Sequence, residues 1–484
     1  TCPHCKSDYS KYAPKKRKFS PYRGFRTGFG KMSQILSKEL FAELPAGDST
    51  KKLVAFSDSR EDAAKLAKNI EEEHYMSLVR EVLVHNITNE LQFDSEVINA
   101  IENNLIAERT RLIEINQTRV GQINAIISNA NIGIQADIIA LNSLRDNIKP
   151  ISALINIIIK NLLFEGLNPA GPYKSLDFVY VPNGAYYNVV KWSEAFDYVN
   201  LDYKDGYFYR TKNPATQGWE YQSVRDVFNR KIEGNLSSFI FGKLFYSFEA
   251  SGLGYATITT NIDSQALKLG IQQPEILKQI CNSFLRIWGD TYKHNRSDYQ
   301  TTIYLDYDSL PQNRRERKYI NKVAQVLSKD EINLGNEVFG ILIREGHTSQ
   351  VEINHLNIKL SNRNSNYYKC SNCGTVHLHP SASVCVFCLN VLDNQPENGD
   401  VETLWKKNYL TANLLKDYQP FRLHTEELTG QTDDQLTRQR QFKNIFINPL
   451  NKKTQTIDLL SVTTTLEVGV DIGSLQAILL ANMP

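Results

Sequence analysis

The sequence predicts an α/β protein: a parallel-sheet domain built from the two ends of the chain and interrupted by a mostly helical insertion that carries a zinc ribbon. Three observations predict it. Apolar, partly β-branched runs at Lys52-Leu53-Val54-Ala55-Phe56, Leu459-Leu460-Ser461-Val462 and Ala477-Ile478-Leu479-Leu480 alternate with helical or turn segments, the rhythm of parallel βα units. Residues 75–419 break that rhythm and read as helix over long stretches. Two Cys-x-x-Cys pairs, Cys370/Cys373 and Cys385/Cys388, stand eleven residues apart, the spacing of a four-thiolate zinc site.

Composition sets the limits. The 484 residues are 41% hydrophobic, enough for two to four domains with their own cores. Lys+Arg 55 against Asp+Glu 53 gives a net charge of +2, which excludes neither DNA nor RNA, because basic residues can gather on one face. No apolar run reaches about 18 residues, so no membrane span is expected, and no signal peptide is visible. Seven Cys, four of them in two tight pairs, suit metal binding in a reducing cytoplasm better than disulfides. The chain opens on Thr1-Cys2-Pro3 and closes on Met483-Pro484 directly after a strand; it is expected to be an internal fragment of a larger polypeptide.

In chain order, residues 1–31 read as a partial zinc knuckle and a basic linker. Cys2 and Cys5 supply half a tetrahedral site or a free thiol pair. Between 11 and 31, Arg23, Arg26, Lys31 and five further cations are interleaved with Tyr12, Phe19, Tyr22, Phe25 and Phe29. Cations for phosphates and rings for bases make a nucleic-acid surface; a basic linker accounts for the same residues. Gly28-Phe29-Gly30-Lys31 is not a P-loop: the spacing fails, and Met32 stands where a magnesium-ligating hydroxyl is needed.

Residues 32–74 open the α/β domain. Ile35, Leu36, Leu40 and Phe41 give an amphipathic helix ended by Pro45 and Gly47. After the strand at 52–56, Ser57-Asp58-Ser59-Arg60 can cap the next helix, whose free N–H groups can also hold a phosphate. Residues 75–165 form a long helical arm with Ile98, Ile101, Leu105, Leu112 and Ile115 on one face. Residues 166–318 are a mixed insertion rich in Gly, Pro, Asn and Tyr; its Trp192, Trp219 and Tyr221 read as core aromatics before base platforms, and Cys281 as a core residue. Residues 319–366 suggest a winged-helix-like segment, with a turn at Leu334-Gly335-Asn336 and a hairpin near 349–353. The zinc ribbon follows at 367–392, with all four ligand positions filled and hence a structural ion, then a linker at 393–419.

Residues 420–484 return to the α/β rhythm: strand-like Phe421-Arg422-Leu423-His424, a turn at Thr429-Gly430, a charged helix from Asp433 to Lys443, then Thr456 to Val462. The next residues, Thr463-Thr464-Thr465-Leu466-Glu467-Val468-Gly469-Val470-Asp471, sit just past a strand end, where open parallel sheets keep their ligand sites. Hydroxyls there can donate to phosphate, and Asp471 can accept from a sugar hydroxyl. A capped turn with a solvated Asp also fits.

This stretch resembles motif V of superfamily two DEAD/DEAH-type helicases, in their second RecA-like lobe. Glu467 before Gly469 is similar to a subgroup with large insertions, including the large helicases of bacterial phage-defence systems of the Druantia and DISARM types. The resemblance implies that Thr463 and Thr464 meet the nucleic-acid backbone and that Gly469 and Asp471 lie at the ATP ribose, with a catalytic part. Val468 departs from the family's usual Arg. Residues 57–60 resemble motif IV, which places Ser57 and Arg60 at the backbone. Arg440 and Phe442 fall on a family Arg and Phe.

The resemblance thus implies one RecA-like lobe of an ATP-driven helicase or translocase, acting on DNA before RNA. ATP and Mg2+ would be held mainly by a first lobe outside this sequence, with Zn2+ in the ribbon. A partner defence protein could dock on the helical insertion. The competing expectation is a zinc-containing binding platform without catalysis. A nuclease lacks any clustered acidic signature.

Overall fold

The computed structural model describes residues 29–45, 51–103, 105–115, 142, 144–183, 186–197, 210–211, 220–242, 247–299, 302–397, 399–412, 419–430, 432, 434–446, 454–463 and 476–481. The chain folds as two compact units. One draws on 23–82, 157–232 and 419–484, the other on 83–156 and 233–418.

The first unit is built on a four-stranded parallel sheet. Its order is Thr425–Leu428, Leu459–Thr463, Leu53–Ser57, Ala477–Leu480. Every neighbouring pair is parallel: Leu53 stands opposite Leu459 on one side and Ala477 on the other, and Thr425 opposite Leu459. The two inner strands explain their own composition. Leu459–Thr463 is buried throughout, and Leu53–Ser57 nearly so, because a parallel strand has both faces covered.

Alternation assigns the faces. Leu53, Ala55 and Leu459 join Phe41, Leu44, Leu66 and Ile70 from the helices Phe29–Glu43 and Arg60–Glu102 and their ends. Val54, Leu460 and Val462 join Phe442 of the helix Gln435–Phe442 on the opposite face. Helices on both faces of a parallel sheet make a three-layer α/β arrangement. The expected amphipathic helix at 32–44 is therefore present. The strand expected at 421–424 lies slightly later, at Thr425–Leu428.

The start of the sheet is clasped by one ion pair. Asp458 receives Arg422 on both carboxylate oxygens, at 3.0 and 3.3 Å, and the backbone N–H of His424 at 2.8 Å. Its own carbonyl accepts from Leu53 N–H at 3.0 Å. One residue thus ties the beginnings of three strands. Residues 157–232 also belong to this unit, although the sequence places them in the arm and insertion; Tyr75 donates to the Pro169 carbonyl at 2.6 Å.

The second unit carries a three-stranded antiparallel sheet ordered Ile148–Pro150, Asn357–Leu360, Gly254–Thr257. The helix Pro274–Asp290 starts on Pro at a position where its missing N–H costs nothing. It buries Leu277, Ile280, Cys281, Phe284, Leu285 and Trp288, so Cys281 is a core residue. The helices Arg315–Leu327 and Glu331–Arg344 follow. They are joined by Ser328 in the left-handed region, and the second is capped by Asp330, which accepts from Asn333 N–H.

Two local expectations for 319–366 are corrected here. Leu334-Gly335-Asn336 is no turn but the middle of a helix; Gly335 is there because a Cβ would meet the Tyr307 ring at 2.3 Å. The hairpin near 349–353 does not form either: Val351 makes a single bridge to His294, and Ile353–His355 is a short 3-10 turn. The sheet partners of Asn357–Leu360 come from 148–150 and 254–257 instead.

Candidate metal centre and the end of the parallel sheet

Two turns of the same design bring four cysteines together. In the first, Cys370 N–H donates to the Thr375 carbonyl and Gly374 N–H to the Cys370 carbonyl. In the second, Cys385 N–H donates to the Asn390 carbonyl and Leu389 N–H to the Cys385 carbonyl. The residue after each second cysteine is left-handed, Gly374 at φ 74° and Leu389 at φ 63°. Glycine takes that conformation freely, while Leu389 is held in it by the turn.

The strands Tyr368–Lys369 and Val376–His377 pair antiparallel beside the first turn. The ribbon rests on a small core of Tyr367, Leu378, Val401 and Trp405, and Trp405 Nε1 donates to the Gly252 carbonyl at 3.0 Å.

The four sulfurs lie within 4.8 Å of one another. Cys370 and Cys388 are 3.5 Å apart, Cys373 and Cys385 3.6 Å. A tetrahedron with metal–sulfur bonds of about 2.3 Å has edges of roughly 3.8 Å, so the cluster fits one ion. Donors surround the sulfurs: Phe387 N–H and His377 Nε2 face Cys385, each at 3.4 Å, and Asn390 Nδ2 faces Cys388 at 3.6 Å. Burial holds His377 far below its usual pKa. Its Nε2 faces the Cys385 sulfur, and its buried Nδ1 has no partner among the described residues.

Burial pushes Cys370 up, while the hydrogen bond with Cys385 holds Cys373 down. A cation at the centre is what would let all four be thiolates. These four cysteines can hold a metal ion such as zinc.

At the other candidate site, Ser57 and Thr463 stand opposite each other at the ends of adjacent strands. Both are buried, at 1% and 5% exposure. Ser57 Oγ donates to the Ser59 carbonyl at 3.1 Å, so its hydroxyl is used locally. Ser59 Oγ accepts from Asp62 N–H at 3.1 Å and caps the helix that begins at Arg60. Arg60 and Arg440 are exposed. Lys31 is half-buried, and its ammonium reaches Gln34 at 3.0 Å, Ser77 at 3.1 Å and Glu73 at 3.4 Å. Cys2, Cys5, Arg23, Arg26, Thr464, Gly469 and Asp471 lie outside the described residues.

Sequence reasoning missed one charged cluster in the same unit. A cavity of about 70 Å³ is lined by Glu71, His74, Asn168, Asp177, Trp192 and His424 among others. His424 Nε2 lies 3.9 Å from Glu71 and 3.7 Å from Glu426. Burial pushes the Glu71 carboxyl up to about 7. Burial works against a charged His424, but Glu71 and Glu426 outweigh it, and its pKa ends above the usual value. Burial is outweighed at Glu426 too, by His424 and Arg438, so that carboxyl is lowered. No local motif marks this cluster, because its members are spread from 71 to 426.

A pH dependence follows. Glu71 and His424 bind protons more tightly in the folded state than in the unfolded one. The Glu71 contribution is complete below about pH 4.5 and is lost as pH rises through about 7; the His424 contribution is lost in turn above its own raised pKa. Glu426 acts oppositely, and its contribution is lost only toward acid. Buried histidines act the other way, His74 of the same cavity among them, since burial holds it down to about 4, so the Glu71 contribution is read as a difference. In urea unfolding, the stability of Glu71→Gln relative to the wild type should rise from pH 5 to pH 8 by on the order of 1–2 kcal/mol. A difference that stays constant across that range would rule Glu71 out as its source.

The fold and the sites define an α/β protein with a parallel sheet, helices on both its faces, and on the second unit a cluster of four cysteines that can hold a metal ion. Set against protein-family models, curated proteins and solved structures, the chain matches none. Among the described residues, no helix is long and apolar enough to cross a membrane.

Proposed function

We propose that this chain is a RecA-like lobe of an ATP-dependent nucleic-acid helicase or translocase, working in the cytoplasm in bacterial anti-phage defence. One observation carries the reading. Segments roughly 400 residues apart, Leu53–Ser57 and Leu459–Thr463, pair in parallel at the centre of one sheet, as a split motor lobe requires. That pairing sets Thr463 at the sheet end where the motif begins. Gly469 and Asp471 would meet the nucleotide, Thr463 and Thr464 the DNA or RNA backbone, with Arg60 and Arg440 on exposed surface of their own elements. ATP and Mg2+ would be held mainly by a first lobe. Zn2+ in the four-cysteine centre would be structural, with no ligand position open for chemistry. DNA is favoured over RNA by the resemblance alone.

Steady-state ATP hydrolysis by the full-length protein, with and without single-stranded nucleic acid, tests this. Asp471→Asn should lower turnover about ten- to a hundredfold, the loss of a charge-assisted contact of about 1.5–3 kcal/mol. Thr463→Val should leave basal turnover and reduce its stimulation by nucleic acid. Full, stimulated turnover in both variants would sink the motor reading. No turnover in a folded wild type would leave a zinc-containing binding platform.

A further inference from the structure

We propose that the outer face of the helix Arg315–Leu327, together with the second cysteine turn, is a binding site for single-stranded nucleic acid. The first observation is how the helix sorts its charges. Its one acid, Glu316, is 1% exposed and paired inward with Lys293. Arg317 is also turned inward, donating to Glu331 at 3.2 Å and to the carbonyls of Tyr307, Asp308 and Leu310. What remains toward solvent on the helix is positive: Lys318, with Arg315 and Lys322 half-buried, and Arg314, also half-buried, just before it. Lys318 is exposed and Lys322 half-buried; neither is ion-paired among the described residues.

A solvated helix face normally mixes signs, because opposite charges four apart support the helix and like charges weaken it. Arg314, Lys318 and Lys322 follow one another at that spacing with no acid between them on the face. A polyanion laid along them relieves the repulsion. From Arg315 to Lys322 the stripe runs roughly 10 Å along the axis.

The second observation is the aromatic ring at the end of that stripe. Phe387, between Cys385 and Cys388, is 48% exposed. The Arg315 guanidinium lies 4.8 Å from its ring centroid and donates to its carbonyl at 2.6 Å. The cysteine turn therefore fixes an open ring beside a row of phosphate-binding cations. A base can stack on the ring while its backbone follows the lysines, the combination that single strands use. An acidic peptide would use the cations and leave the ring idle.

The inference is independent of ATP hydrolysis, so the experiment is an equilibrium one without nucleotide. Fluorescence anisotropy of a labelled oligothymidine, over a series of KCl concentrations, reports binding by the full chain with its metal in place. Lys318→Gln with Lys322→Gln should weaken binding about tenfold at low salt and reduce the slope of log affinity against log salt by about 1.4, or 0.7 for each lost phosphate contact. Phe387→Ala should weaken binding about tenfold with the slope unchanged. Metal content and unfolding temperature are checked on each variant. Should Phe387→Ala lose its metal, ultraviolet cross-linking of the wild type decides: adducts within 385–388 support the site, and adducts only elsewhere overturn it. Unchanged affinity and slope in the metal-replete lysine variant overturn it too, as does equally tight binding of polyglutamate. Lost ATP turnover with this binding intact would sink the motor reading alone.

Discussion

Removing the metal from the four-cysteine centre should unfold the ribbon before it alters any chemical step. Burial leaves the centre no cheap alternative: Cys370 and Cys385 are at 1% and 0% exposure, packed with Leu392. Without a cation, the sulfur cluster holds thiols that cannot all ionise, and the two turns lose the bond that joins them. Structural zinc in small domains supplies about 10–16 kcal/mol of apparent binding energy at neutral pH, more than most domains have in reserve. Cys385→Ser should therefore cost soluble protein, and a strong chelator should lower the unfolding temperature of the wild type. Metal analysis of the purified protein should find zinc held through these four residues. A folded chain with no metal, unmoved by chelator, would mean that the cysteines pack as thiols.

Asp458→Ala should be the most damaging single change in the sheet. It strips Arg422, whose side chain is 9% exposed, of the carboxylate that clasps it, and leaves the His424 N–H without its acceptor. Breaking a buried pair by deleting one partner costs about 3–5 kcal/mol, because the surviving charge stays buried. Asp458→Asn keeps an acceptor for His424 and should cost about half as much. Urea unfolding followed by circular dichroism measures both. If Asp458→Ala loses under about 1 kcal/mol, the three strand starts are held by their ladder bonds and not by the clasp.

What could be read from the sequence was whatever has a local signature. Lys52 to Phe56 announced a buried strand because the residues after Lys52 avoid charge and then meet a cap. The two Cys-x-x-Cys turns announced themselves because metal ligands must be close in space and short turns make them close in sequence. Gly335 misled for the opposite reason. Its cause is the Tyr307 ring, twenty-eight positions away, and nothing beside it in the chain shows that. Ser57 reads as a helix cap or a backbone contact, yet it is covered, its hydroxyl donates to the Ser59 carbonyl, and Ser59 makes the cap. The Arg422–Asp458 clasp and the Glu71–His424–Glu426 cluster join segments that meet only once the sheet exists. Residues 464–475, with Gly469 and Asp471, lie outside the described residues, and their roles are those the resemblance implies.

The interrupted sheet also sets a timetable for the ribosome. Both sheet neighbours of Leu53–Ser57 are encoded roughly 400 residues after it. At about 5–20 residues per second, that is a wait of roughly 20–80 s. Throughout it an apolar strand, buried on both faces in the finished protein, has no partner on either edge. The second unit, complete by residue 418, can assemble during the wait; the parallel sheet cannot, and the long loop must close before any of its contacts reward it. Nascent chains halted before Leu459 should therefore be held by a chaperone at 53–56, and slowing translation beyond that point should raise aggregation rather than yield.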